Sequence, residues 1–231
     1  MTDSRALRIL PGVGMAGVWV DLKPQFEQTS GHRPDIFFGT TPHLIREAMS
    51  GRPFDAGIVP IDVMQDAAAR ARFVSGPTID VARVGLGIAV RSGAPKPDIR
   101  TSAAFKTALL NAKAIATVPE SATGYSNARV FDRLGITEPM KAKTKAQSSP
   151  AHVIAVVARG GAELALFLLN VLAGPGLDVV GPFPSGLQED LVFTAALSAQ
   201  TKEAAAAQAL LDYLKGPAAI AIIRSKRVLP G

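Results

Sequence analysis

Short apolar runs alternate with stretches of helical periodicity almost from end to end of the chain, the pattern of βα units built on parallel sheet. The run LRIL, 7–10, leads through PGVGMAG into a helix whose Met15, Val18, Leu22 and Phe26 fall on one face. Pro24 is expected to kink or shorten that helix, and Gly31 to sit just past its end. DIFF, 35–38, leads through GTTP into HLIREAMSG, with Thr41 as the natural N-cap, Pro42 at the first helical position and Gly51 closing the helix. DAGIV, 55–59, then feeds a third helix through Pro60 and Ile61.

A long β-like run, TIDVARVGLGIAV over 78–90, and the proline-rich turn RSGAPKPDIR separate this block from a second. There the rhythm resumes with a helix near 102–112, a strand at 114–118, a helix near 124–134, a strand near 141–147, a helix near 150–159, and strands near 163–169 and 177–180. GPFPSGLQED, 181–190, is a second connector, followed by the strand LVFTAALS and an alanine-rich helical tail interrupted around Gly216 and Pro217. No repeat of solenoid period is present. Two connectors between two βα blocks predict two lobes, residues 1–82 with 185–231 and residues 83–184, with the cleft between them as the natural place for a ligand.

Composition narrows the classes. Hydrophobic residues at 48% and charged residues at 19% describe a well-packed globule rather than a disordered chain. The net charge of +6 is scattered and aromatics are only 6%, so neither the basic stripe nor the stacking platform of a nucleic-acid binder is present, and a mild attraction for small anions is the better inference. With no cysteine, disulfides, thiolate chemistry and cysteine zinc sites are excluded; the three scattered histidines give no metal-ligand spacing, and nothing calls for a cofactor. The most apolar window, 153–173, contains Arg159, Gly160, Gly161 and Glu163 and is no transmembrane segment. MTDSRALRIL shows none of the three regions of a secretion signal, which places the chain as it stands in the cytoplasm; a signal already removed would place it in the periplasm.

Candidate chemistry concentrates in three small-residue loops. In VPESATGYSNARVFDRLGI, 118–136, Ser121, Thr123 and Ser126 are good caps and Gly124 permits close backbone approach, so SATG reads either as an anion cradle at a helix start or as an ordinary N-cap loop. Gly12, Val13, Gly14 and Met15 offer bare N–H groups at another helix start, or form a tight glycine turn. Their spacing fits G-x-G-x-x-G over Gly12, Gly14 and Gly17, but no ribose-binding acid follows, since Asp35 precedes its strand. Thr40 and Thr41 lie at a third helix start, where capping accounts for one of them, and His43 follows on the first turn as a donor, a base or a solvated side chain. Arg83 on the first connector could fork a carboxylate or stand in solvent. Arg159 and Glu163 read as a local pair, and Lys141, Lys143 and Lys145 as the wet face of a strand.

The segments GIAVRSGAPKPDI, SATG, RLGI, KAK, VVARGGAEL, LDVVGPFPSGLQ and ALLDYLKGPAA, with the earlier FEQTSGH and FGTT, resemble in matching order the molybdate-type substrate-binding proteins of ABC transporters. The resemblance implies a type II periplasmic-binding-protein fold, two α/β lobes with an oxyanion in the central cleft, held by hydroxyls and N–H groups of three loops. Thr40, Thr41, Ser121 and Thr123 match that scheme. The first loop, PGVGMAG, has no hydroxyl, and FLLN near 168 replaces a polar pair, departures that count against molybdate and tungstate. Two functions follow. One is binding of a small anion, an organic carboxylate, with an ABC permease as partner if the chain is exported. The other is an isomerase of a small unsaturated polycarboxylate, similar to aconitate isomerase, with His43 or Glu120 as base and the loop N–H groups as donors.

Overall fold

The computed structural model describes residues 6–231; the polar lead at residues 1–5 lies outside them. The chain divides into two compact units, Met1–Arg83 with Val192–Gly231, and Val84–Leu191.

The first unit opens with β1 (Leu7–Pro11), a short 3-10 turn at Val13–Met15 and α1 (Ala16–Ser30), then β2 (Pro34–Ile36), α2 (Thr41–Met49), β3 (Ala56–Pro60), α3 (Ile61–Gln65) and α4 (Ala67–Arg70). Val18, Leu22 and Phe26 form the buried stripe of α1, as the periodicity requires. Pro24, expected to kink or shorten α1, sits inside it. Proline removes its own bond to the carbonyl of Val20, and Pro24 and Val20 both lie on the exposed face, where water can serve that carbonyl. Gly31 ends the helix with φ 73°, and its N–H bonds to the Glu27 carbonyl.

β4 (Ile79–Arg91) carries the chain into the second unit. There follow α5 (Ser102–Asn111), β5 (Ile115–Thr117), α6 (Ala122–Arg133), α7 (Thr137–Lys143), β6 (Thr144–Ala146), α8 (Pro150–Ala158), β7 (Leu164–Leu168), α9 (Leu169–Leu172) and β8 (Leu177–Pro182). β9 (Asp190–Leu197) leads back to the first unit, which ends with α10 (Ala204–Lys215), α11 (Pro217–Ser225) and β10 (Leu229–Pro230).

Two readings of the second unit need correction. Lys141 and Lys143 do not share a strand face with Lys145: they lie in the last turn of α7, and only Lys145 is in β6. The alternation of Lys with Ala and Thr mimics a strand period, but buried Met140 and an i,i+3 bond of 2.7 Å from Lys141 to Glu138 belong to a helix. Arg159 and Glu163 make no pair either. The Arg159 Nε donates to the Ala155 carbonyl, and the Glu163 carboxylate accepts the Lys113 N–H at 2.9 Å.

In the first unit β1 lies parallel between β2 and β3, and β9 adds antiparallel to β3 with Ala56 opposite Leu197 and Pro60 opposite Phe193. In the second, β5 lies parallel between β6 and β7, with β4 antiparallel to both β7 and β8. Parallel strands direct their following loops to one end, so PGVGMAG, the loop before α2 and the β3–α3 junction share one end of the first sheet. Leu44 and Ala48 of α2 pack with Leu10, Phe54, Val59, Val63 and Phe73 in a buried cluster that fixes α2 against the sheet.

Candidate functional site

The first loop is closer to sheet than to cradle. The Gly12 N–H bonds to the Ile58 carbonyl at 2.9 Å, the Val13 N–H to the Gly39 carbonyl at 3.0 Å, and the Met15 N–H to the Gly12 carbonyl at 2.9 Å. The expectation of bare N–H groups at these residues is therefore corrected: β1 continues its ladder past Pro11, and Gly12 forms a parallel bridge with Gly39. Gly12 is required for packing, since a Cβ there would lie 2.6 Å from the Phe193 ring and 2.9 Å from Pro60. Met15 is buried.

That bridge delivers the chain to the start of α2. Thr40, not Thr41, is the N-cap residue, and Pro42 occupies the second helical position rather than the first. Thr40 makes no capping bond; its Oγ1 lies instead 3.3 Å from the Nδ1 of the exposed His43. Helix geometry leaves the Thr41 and His43 N–H groups without an intrahelical acceptor, and Pro42 has none to offer. Thr41 is 3% exposed and its hydroxyl is buried without a partner. A buried hydroxyl that finds no acceptor costs about 1–3 kcal/mol. Two hydroxyls and two N–H groups therefore collect at one helix start with little else to bind.

The start of α6 behaves differently. The Ser121 Oγ accepts the Gly124 N–H at 3.1 Å and donates its proton to the Val118 carbonyl at 2.7 Å. The reading of Ser121 as a hydroxyl donor to an anion is corrected accordingly, since its single proton is committed to the chain. Gly124 lies inside the first turn, and a Cβ there would overlap the carbonyl oxygens of Val118 and Pro119, so glycine serves backbone packing rather than ligand approach. What α6 leaves open is the Ala122 and Thr123 N–H groups, by helix geometry, and the buried Thr123 hydroxyl, which makes no hydrogen bond among the described residues. One turn on, buried Asn127 donates to the Thr117 Oγ1 at 2.9 Å and leaves its carbonyl oxygen unpartnered. Sequence reasoning missed Asn127, although polar residues at Thr123 and Asn127 share the i,i+4 face that α6 buries. Glu120 is exposed beside this start.

The Arg83 guanidinium pairs with Asp80 at 3.0 Å on β4, with roughly half the side chain in solvent. A cavity of about 680 Å³ in the second unit is lined by Arg91, Lys96, Asn111, Gly160, Glu163 and Leu164 among others. It lies where β5 and β7 begin, whereas α6 follows the end of β5, so this hollow is remote from the helix start. Beside it Asp178 ties β8 to the proline-rich turn. The Gly93 N–H, and then the Ser92 hydroxyl, hold its carboxyl below the usual range. Among the described residues no cluster of His, Asp and Glu could hold a metal ion.

Known proteins resemble the chain along its whole length. The aconitate isomerase of a Pseudomonas species is 32% identical over 232 residues, 97% of this chain and 87% of that protein. The molybdate-binding protein ModA of Azotobacter vinelandii is 27% identical over 215 residues, 89% of this chain and 82% of that one. The periplasmic molybdate-binding protein of A. vinelandii superposes with a TM-score of 0.80 at 20% identity, covering 96% of this chain and 98% of its own, which establishes the two-lobed α/β periplasmic-binding-protein fold. The model of the bacterial extracellular solute-binding protein family matches residues 7–226, and the chain belongs to that family.

Proposed function

We propose that this chain binds a small anion, an organic carboxylate in preference to molybdate, through the donors at the start of α2. The observation that carries the reading is at Thr40. Where Asp66, Thr101, Ser121 and Ser149 stand at N-caps, each accepts an N–H of its helix; Thr40, in the same position, does not. A helix start with unanswered N–H groups and a buried, unpartnered Thr41 hydroxyl is built to be completed by an acceptor from outside. A carboxylate needs few donors, because it presents two oxygens. A tetrahedral oxyanion presents four, and the first loop, with no hydroxyl and three of its N–H groups bonded internally, adds little toward them.

Thr41→Val, which keeps the branched shape and removes the hydroxyl, is expected to weaken carboxylate binding tenfold or more by titration calorimetry, from the roughly 1.5–3 kcal/mol of a hydrogen bond to a charged group. Its stability without ligand should hold or rise. A thermal-shift screen of organic acids and oxyanions identifies the ligand, since a compound at 100 times its dissociation constant adds roughly 2.7 kcal/mol. Submicromolar tungstate with no carboxylate hit would overturn the preference. If the chain acts outside the cytoplasm, its anion passes to an ABC permease; among the described residues no helix is long and apolar enough to cross a membrane.

A second reading, isomerisation of a small unsaturated polycarboxylate, is favoured by the 32% identity to aconitate isomerase and by the approach of His43 to Thr40, which puts a titratable ring on the same helix start. Proton NMR of trans-aconitate incubated with the protein and with His43→Ala tests it. No conversion by the wild type leaves binding alone.

A further inference from the structure

The hollow of about 680 Å³ lies wholly within the second unit, between the end of β4, the proline-rich turn, the end of α5 and the start of β7. Buried Val90, Ala112, Ala162 and Leu164 give it an apolar lining. Its wall along the proline-rich turn is fixed by the chain itself. Asp178 of β8 accepts the Gly93 N–H at 2.9 Å and the Ser92 hydroxyl at 3.2 Å, the Ser92 N–H bonds to the Gly176 carbonyl at 3.0 Å, and Pro95 and Pro97 restrict the backbone beyond. A preformed, mostly apolar hollow with a few polar groups is the ordinary form of a small-molecule site, and fixed walls lower the ordering cost of binding.

Three charged residues line the hollow: Arg91, Lys96 and Glu163. Lys96 is committed, its Nζ donating to the Val179 carbonyl at 2.9 Å and its charge lying beside that of Asp178. Arg91 and Glu163 are not. Among the described residues the Arg91 guanidinium makes no hydrogen bond or ion pair, and the Glu163 carboxylate answers only the Lys113 N–H, at 2.9 Å. A single solvated charge on a surface needs no explanation. Opposite charges that line one fixed hollow without pairing with each other leave room for a ligand that carries both. A plain anion would suit Arg91 and be repelled by Glu163, and a plain cation the reverse. We infer that this hollow is a second binding site, independent of the anion-binding reading above, and that it takes an apolar α-amino acid. The Arg91 fork receives the carboxylate, Glu163 the ammonium, and the apolar lining the side chain.

Calorimetric titration of the full chain with L-phenylalanine tests this against three probes that each lack one part of it: 3-phenylpropanoate without the ammonium, phenethylamine without the carboxylate, and glycine without the side chain. Phenylalanine should bind roughly tenfold or more tighter than each, and Arg91→Gln and Glu163→Gln should each weaken it by a similar factor. Circular dichroism checks that both variants fold, and the probe series on the wild type decides without them. Amide NMR of the labelled chain locates the site: phenylalanine should shift Ala94, Ala112 and Leu164 and leave Thr41 and His43 unmoved. Equal binding of 3-phenylpropanoate or phenethylamine would overturn the paired-charge requirement. Shifts at Thr41 and His43 instead would overturn the second site and leave the anion-binding reading standing, and no binding of phenylalanine would do the same.

Discussion

The starts of α2 and α6 share their ingredients, a strand end, two hydroxyl residues and a glycine, yet Ser121 caps the Gly124 N–H while Thr40 leaves the His43 N–H unanswered. Proline is not the reason, because Ser149 caps α8 with a proline in the same first turn. The backbone angle separates them. Thr101, Ser121 and Ser149 cap with φ of −124°, −155° and −154°, while Thr40 is held at −75°. Asp66 caps at a similar φ of −73°, but with a side chain one atom longer. Gly39, bridged to Gly12 and donating its N–H to the Pro11 carbonyl, fixes the entry to α2 and so the angle that follows. A helix start becomes available to a ligand through the strand that delivers it, not through its residue types alone.

If that contrast is right, Ser121 and Gly124 form a closed structural joint at the start of α6 and should respond as one. Gly124→Ala carries the largest expected effect. Its new methyl meets backbone carbonyls that cannot rotate away, so urea unfolding should show a loss near 3 kcal/mol, the upper part of the overpacking range. Ser121→Ala comes next, with a loss of about 1 kcal/mol for a removed cap. It should leave carboxylate affinity within about twofold, because the Ser121 proton already belongs to Val118. A tenfold loss of affinity in Ser121→Ala, with stability intact, would reverse the roles assigned to the two starts.

The contrast also marks how far the sequence could be read. Periodicity located the strands and most helices because burial imposes it: the face of α1 and the five buried residues of β7 are written in their apolar spacing. The period failed at α7, where alternating Lys, Ala and Thr looked like a strand while one buried residue, Met140, held a short helix. The small-residue loops were visible as candidates, and the resemblance to solute-binding proteins held over residues 7–226. Which hydroxyl was open was not legible. Thr40, Thr41, Ser121 and Thr123 are equivalent as letters, and their difference lies in a φ angle, a committed proton on Ser121 and a one-residue shift of the N-cap from Thr41 to Thr40.

The smallest expected effect is the most direct test of that difference. Thr40→Val preserves the branched shape and removes only the hydroxyl. An N-cap threonine that holds its helix would cost about 1 kcal/mol on losing that oxygen. Thr40 bonds no N–H of α2, so urea unfolding of Thr40→Val without ligand should fall within about 0.5 kcal/mol of the wild type. Adding saturating carboxylate should separate the two proteins, because the wild type gains the full linkage stabilisation and the variant, one donor short, gains less. A loss of a full kcal/mol in the ligand-free variant would mean that Thr40 caps α2 in solution after all, and would leave Thr41 alone as the open hydroxyl of that helix start.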